Sequence, residues 1–418
     1  MYVAAKGGEE AIQNSEALYN ALNGALTPET VRTIQEKMPY LVDRVMGEGS
    51  LYAPELAALA LAQTGGDLYE AVLLLRAYRA TQPRIAYAHP TSADKLFTVR
   101  RISAAFKDIP GGQVLGPSLD YSHRLLRLAV LDEQPEALNR EDAKSANGAA
   151  VIVNTDAINC VPTNDEGNVG ARRASSDVTS QDSMADVQLG VPTSTYPALA
   201  DWQRGQGLLP PTEPEQIDPA DIPDVTTDTV MFPAPRAHRL QALARADTGG
   251  VLALGYSIMR GYGLIHPTVN ELRLGYSEVE LTHPVTGAVF NAGRVRVSQC
   301  EVITPDAGKQ GYMLGFAATM GWNEVKLIAA STLDMDMAAN DGDGHAAHSE
   351  EFVMYHTEPV ESSGFCIHFK LPHYVTFASS LDNIRKMAAA VGWDGGKGAQ
   401  MPETETKPDE LDRAKLTI

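Results

Sequence analysis

The stretch Gly364 to Phe377, GFCIHFKLPHYVTF, brings His368, Lys370 and His373 within six residues. Two imidazoles and an ammonium at this density could hold a metal or an anion. Read as a strand, alternation sets Phe365, Ile367, Phe369 and Leu371 on one face and Cys366, His368 and Lys370 on the other. The apolar face is then core, and Pro372, with no N–H to donate, closes the strand. The histidines are spaced His-x4-His, not as the i, i+4 zinc pair of a helical HExxH. On an unbroken strand they would face opposite sides, about 16 Å apart, so only a bend at Pro372 could bring both to one metal. Two satisfied histidines at a strand end are an equal reading.

Cations next to glycines form a second group. RRISAAFKDIPGGQVLGP carries Arg100, Arg101 and Lys107 beside Gly111 and Gly112. Backbone N–H groups in such a loop, with cations alongside, could take a phosphate. It is not the GxxxxGK[ST] phosphate loop, and structural turns explain the glycines at least as well. RGYGLIHP adds Arg260 and Tyr262, with glycines that would let backbone approach a ligand; a tight turn around a packed tyrosine is the plainer alternative. Among the carboxylates of the C-terminal half, spacing alone does not choose a general acid from Glu324, Glu350 and Glu351. Glu324 is taken forward with His368 and Lys370 as the catalytic set.

These residues need elements to position them. Residues 8–82 read as helices: Thr27 caps a helix opened by Pro28, and Gly65-Gly66 stop one helix before Asp67 caps the next. In that next helix Leu68, Val72, Leu75 and Tyr78 share a face, with Arg76 and Arg79 near a solvated edge. A further helix is expected from about Asp120. GYSEVELTHP, GAVFNAGRVRVSQCEVI and QGYMLGFAATM read as strands, with Gly287 in a hairpin turn. GWNEVKLIAASTLDMDM reads as a helix, EEFVMYHTEPV and SGFCIHFKLP as strands, and YVTFASSLDNIRKMAAAV as a closing helix. The expected class is α+β. The expected divisions are a helical region 1–131, an acidic Pro-rich insertion 132–235 with one short helix at YPALADWQRGQGLL, a mixed region 236–391, and a disordered tail 392–418.

Composition excludes several classes. The chain has 418 residues and a net charge of −19, which argues against a general nucleic-acid binder. Residues 151–230 hold thirteen Asp/Glu against three Arg, so −10 of that charge sits there and a cationic site elsewhere is still allowed. No run approaches the roughly 20 apolar residues that span a bilayer, and the first residues lack a secretory h-region, so a cytoplasmic protein is expected. Cys160, Cys300 and Cys366 are far apart, which writes neither a zinc knuckle nor an iron–sulfur cluster.

Six segments in order, MYVAAKGGEEAI, ELAALALAQTGGD with EAVLLLRAYRAT, RRISAAFKDIPGGQVLGP, DYSHRLL, RGYGLIHP and GFCIHFKLPHYVTF, closely resemble the PhnI family of the bacterial carbon–phosphorus lyase core complex. The resemblance covers about residues 1–130 and 236–390. It implies a subunit that, with companions, lets a phosphonate such as methylphosphonate attack ribose C1′ of ATP while adenine leaves. The product is α-D-ribose 1-methylphosphonate 5-triphosphate. Alone, such a subunit would act as a nucleosidase on ATP or GTP. The resemblance further implies zinc on His368 and His373 at the contact with the radical SAM subunit, magnesium with ATP, and the other core subunits as partners. Lys370 would lie beside the metal, and Arg100, Arg101, Lys107, Gly111, Gly112, Arg260 and Tyr262 would serve the substrate. The alternative is a scaffold subunit that lends metal ligands to a shared site.

Overall fold

A computed structural model describes residues 8–24, 26–116, 125, 126, 128, 196–212, 222–260, 267–306, 311–339, 345–370 and 374–392. Two compact units are present, Met1–Ser363 and Gly364–Ile418. The helix expected from Asp120, and the segments holding Tyr262 and His373, lie outside the described residues.

The chain begins with α1 (Gly8–Asn23), α2 (Pro28–Lys37), α3 (Pro39–Gly49), α4 (Pro54–Gln63) and α5 (Leu68–Ala80). The start of α2 is local chemistry: Thr27 Oγ1 accepts from the Thr30 N–H, and Pro28 fills a first-turn position that needs no donor. Gly65 and Gly66 take positive φ after α4, and Asp67 Oδ1 accepts from the N–H groups of Tyr69 and Glu70 to open α5. Val42, Val45, Met46, Ala57, Leu61, Val72 and Leu75 form one apolar cluster. Tyr78, expected on that buried face, is exposed, because the cluster ends at Leu75.

Strand β1 (Phe97–Ile102) is followed by the short α6 (Leu199–Gly205), then by α7 (Arg236–Arg245) and α8 (Thr248–Met259). The break between α7 and α8 falls at Asp247, whose Oδ2 accepts from the Gly250 N–H and so places Gly249 and Gly250 in the first turn of α8. Strands β2 (Thr268–Thr282), β3 (Val289–Pro305) and β4 (Tyr312–Met320) complete an antiparallel sheet in the order β1-β2-β3-β4. Gly287, at φ +69°, sits in the β2–β3 turn as expected.

Helix α9 (Glu324–Ala339) lies on one face of the sheet. Leu272, Cys300, Val302 and Ala317 of the sheet, Leu327 and Leu333 of α9, Leu243 of α7 and Val251 of α8 form one core. The approach is close at Gly315, where a Cβ would lie 1.9 Å from the Ser331 carbonyl oxygen. Both outer strands have edge partners. Arg101 and Val114 exchange backbone hydrogen bonds of 2.9 and 2.7 Å beside β1. Along β4, Tyr312 N donates to Leu208 O and Phe316 N to Asp334 Oδ2, each at 2.9 Å.

Two expected strands are helices: α10 (Glu350–His356) and α11 (Pro359–His368), followed by α12 (Tyr374–Ala390) as expected. Ser349 Oγ accepts from the Phe352 N–H, with Glu350 and Glu351 in the first turn, and this cap outweighs the strand-like composition of the segment. In GFCIHF the operative spacing is i, i+3, i+4: Phe365 lies against both His368 and Phe369. Phe365, Ile367 and Phe369 are exposed, so the alternating core face read from the sequence is not formed. The α+β class stands.

Candidate functional site

Alternation along β1 separates the two arginines expected to act together. Arg100 turns toward α9, with Nη1 3.4 Å from Glu324 Oε1; both residues are buried. Arg101 turns to the opposite face, where its side chain is wholly buried. Its Nε donates to Glu271 Oε1 at 2.5 Å, Nη1 to the carbonyls of Pro110 and Gly112, and Nη2 to that of Pro197. The glycine loop is therefore folded around Arg101 with carbonyls inward, the reverse polarity of a phosphate cradle. Gly111 and Gly112 provide the positive φ of this turn, and the Gly112 N–H donates to Ile109 O. Lys107 is exposed on the loop, and its carbonyl accepts from Gln113.

A bulge shapes this polar face of the sheet. Val269 pairs with Val302 and Glu271 with Glu301, which leaves Asn270 as the extra residue. Asn270 Nδ2 then donates to Glu301 Oε2 at 2.9 Å and exchanges bonds with Gln203 of α6. Glu271 also accepts from Arg273 and from the Leu199 N–H. Burial, and then the neighbouring Glu271 carboxylate, push Glu301 up to about 7 against the Asn270 hydrogen bond. The network ties α6 and the glycine loop to the sheet.

The remaining predicted residues are each described on their own element. Arg260 is exposed just past α8, its N–H bonded to Tyr256 O. His368 ends α11 with its ring against Phe365 and Phe369, and Lys370 follows in an exposed turn. Among the described residues no group of three or more His, Cys, Asp or Glu is placed to hold a metal. A zinc ion there would need His373 and further ligands besides His368.

A larger charged cluster, missed in the sequence, lies where α7 ends and α8 begins. The terminal carbonyls of α7 receive cations: Lys326 Nζ donates to Ala244 O at 2.6 Å and Arg76 Nη2 to Arg245 O at 3.2 Å. The first N–H groups of α8 receive carboxylates: Glu48 Oε1 accepts from Thr248 N and Oγ1, beside the Asp247 cap. Arg44 bridges Glu48 and Asp247 at 2.8 and 3.0 Å. Burial holds Lys326 down at about 8, against the pull of Glu48. The edge of α5 read as solvated is thus an internal interface at Arg76, which pairs with Glu358. Its helical spacing was legible; the distant segments it meets were not.

Beyond this junction Arg79 and Arg84 border a cavity of about 320 Å³, walled by Tyr87, Gln241 and the chain around Asp224. Arg84 pairs with Asp224 and lies 4.8 Å from the centroid of the Tyr87 ring; Arg79 Nη2 is 4.0 Å from Asp224 Oδ2.

Residues 1–391 match the family described as Bacterial phosphonate metabolism protein (PhnI). A Stutzerimonas stutzeri protein that carries the provisional name C-P lyase subunit protein HtxH is 41% identical over 395 residues, 92% of this chain and 95% of the relative. Two relatives named alpha-D-ribose 1-methylphosphonate 5-triphosphate synthase subunit PhnI are each 36% identical. The one from Rhizobium meliloti (strain 1021) aligns over 96% of this chain and 100% of its own length. The one from Escherichia coli (strain K12) aligns over 93% and 98%.

Proposed function

Because the chain belongs to the PhnI family of bacterial phosphonate metabolism proteins, we propose that it is the synthase subunit that makes α-D-ribose 1-methylphosphonate 5-triphosphate within a carbon–phosphorus lyase complex. The observation that carries this is the nearly end-to-end alignment with two relatives bearing that name. A phosphonate oxygen bonds to ribose C1′ of ATP, the C1′–N bond breaks with its electron pair going to adenine, and the base takes up a proton. Such a step passes through an oxocarbenium-like state and needs a placed nucleophile and an anchored triphosphate.

The chain alone would act as a nucleosidase on ATP or GTP, with water as the nucleophile and magnesium on the triphosphate. Zinc, held by His368 and His373 with open positions for substrate or a partner side chain, would supply Lewis-acid stabilisation of an oxyanion. Lys370, two residues after His368, adds a cation for the phosphonate. The radical SAM subunit and the other core subunits are the expected partners. A second reading is a scaffold that lends ligands to a shared site; the name of the Stutzerimonas stutzeri relative gives a subunit of C-P lyase and no reaction of its own.

The test is chromatographic. The purified chain, incubated with ATP and Mg²⁺, should release adenine above a no-enzyme control. If adenine appears only when the companion subunits and methylphosphonate are added, the scaffold reading replaces the nucleosidase one. If the assembled complex also makes no ribosyl phosphonate, the synthase assignment fails.

A further inference from the structure

Arg79 and Arg84 converge on one acceptor, and the chain itself supplies it. Asp224 Oδ2 pairs with Arg84 and lies 4.0 Å from Arg79 Nη2, while Oδ1 accepts from the N–H and hydroxyl of Thr226 at 2.9 and 2.6 Å. Burial pushes Asp224 up, but the Thr226 bonds and the charges of Arg84 and Arg79 outweigh it and keep the carboxyl below its usual range. Behind this pair, Arg76 and Arg245 share Glu358. Four guanidinium groups are thus within ion-pair reach of two carboxylates, Asp224 and Glu358. The excess shows at Arg245, which burial and then the neighbouring Arg76 hold down at about 10.

The Asp224 segment is strapped in place by side chains rather than by secondary structure. Gln241 Nε2 donates to Pro223 O, Gln241 Oε1 accepts from Val225 N, and Arg245 Nη1 donates to Val225 O. Asp228 Oδ2 holds the Asp224 N–H. The pocket, about 320 Å³ and open to solvent, is at the lower end of the size range of small-molecule sites. Its walls combine two cations with the apolar surfaces of Tyr87, Ile222, Pro223 and Val225.

We propose that this cavity binds the phosphates of a nucleotide, with Arg79 and Arg84 as the ligands and Asp224 as the internal carboxylate that the phosphates displace. Two forked guanidinium groups meeting at one oxygen acceptor are suited to a phosphoryl group, which brings more oxygens and more charge than a carboxylate. Arg101, enclosed by carbonyls and Glu271, has no comparable opening. The choice of a triphosphate as the ligand rests on the function proposed above.

The test is calorimetric titration of the full chain with inorganic tripolyphosphate, and separately with ATP, at two salt concentrations. Asp224→Asn keeps the acceptor for Thr226 and removes the charge, so it should bind tripolyphosphate at least about tenfold more tightly, which corresponds to about 1.4 kcal/mol. Arg84→Gln and Arg79→Gln should each bind about tenfold or more weakly, the scale of a charge-assisted hydrogen bond, with unchanged circular dichroism. A wild type that binds poorly while Asp224→Asn binds well also supports the proposal. Failure of both to bind, or Arg79→Gln and Arg84→Gln changes that leave the tripolyphosphate affinity of Asp224→Asn unchanged, overturns it. Adenine release in the assembled complex is read separately: tripolyphosphate binding without adenine release sinks the function and leaves this site standing. Adenine release with an unchanged KM for ATP in Arg79→Gln and Arg84→Gln sinks the site alone.

Discussion

Arg100 and Arg101 are consecutive in β1 and serve opposite faces of the sheet, Arg100 meeting Glu324 of α9 and Arg101 meeting Glu271 of β2. Their functions therefore separate. Arg101→Ala removes one partner of a buried ion pair and takes the guanidinium donor from the carbonyls of Pro110 and Gly112, while Pro197 O keeps Arg273. It should cost about 3–5 kcal/mol of stability, measured by urea unfolding. Arg101→Lys should recover only part of this, because one ammonium cannot reproduce the fork. At temperatures where Arg101→Lys is folded, its KM for ATP should match the wild type.

Glu301 gives a pH signature. Its folded value of about 7 lies above the ordinary 4.5, so between those values the folded chain holds the proton better. This group's contribution therefore falls as pH rises from 4.5 to 7, by about 3 kcal/mol at most. Glu301→Gln stays neutral and can still accept from Asn270. It should be the more stable protein at pH 8, and the gap should close toward pH 5 in urea titrations at each pH.

Lys326 runs the other way. Its folded value of about 8 lies below the ordinary 10.5, so between them the unfolded chain holds more protons and stability rises with pH. Unfolding followed from pH 7.5 to 10.5 should show a gain of up to about 3 kcal/mol in the wild type that Lys326→Met lacks. Equal slopes in the two proteins would mean that Lys326 holds its proton as tightly in the folded chain as in the unfolded one.

At Gly315 the constraint is steric. Gly315→Ala would push a methyl group into the Ser331 carbonyl, so β4 and α9 must separate. A loss of about 1–3 kcal/mol or more is expected in thermal or urea unfolding.

His368 should behave oppositely to Arg101. It is exposed, so His368→Ala should leave stability within about 0.5 kcal/mol. Ribosyl-phosphonate formation by the assembled complex should nevertheless fall, and zinc content, measured by elemental analysis of the complex, should fall with it. Retained activity and retained zinc would remove His368 from the site.

Local chemistry was legible and long-range chemistry was not. Thr27, Pro28 and Asp67 act on N–H groups two or three residues away, so the starts of α2 and α5 could be read directly. The hairpin and α9 followed from long periodic runs. At 350–371 two signals competed: aromatic and β-branched content favoured strands, while the Ser349 cap and the Phe365–His368–Phe369 spacing favoured helices. The second set prevailed. The pairing of Arg100 with Arg101 failed because adjacency in a strand means opposite faces. The cluster of Arg44, Glu48, Lys326 and Asp247 joins segments about 200 residues or more apart in part, and no local pattern announces it. The Asn270 bulge likewise exists only in the pairing of two strands.

The partners along β1 and β4 bear on how companion subunits can be recruited. Val114 engages both hydrogen-bonding groups of Arg101, and Asp334 and Leu208 take the N–H groups of Phe316 and Tyr312. At these positions a visiting strand would find the docking groups already taken and would first have to displace the protein's own loop or helix. Assembly by sheet extension is disfavoured there. Recognition would then be written in side chains, where single substitutions can retune which subunit is accepted.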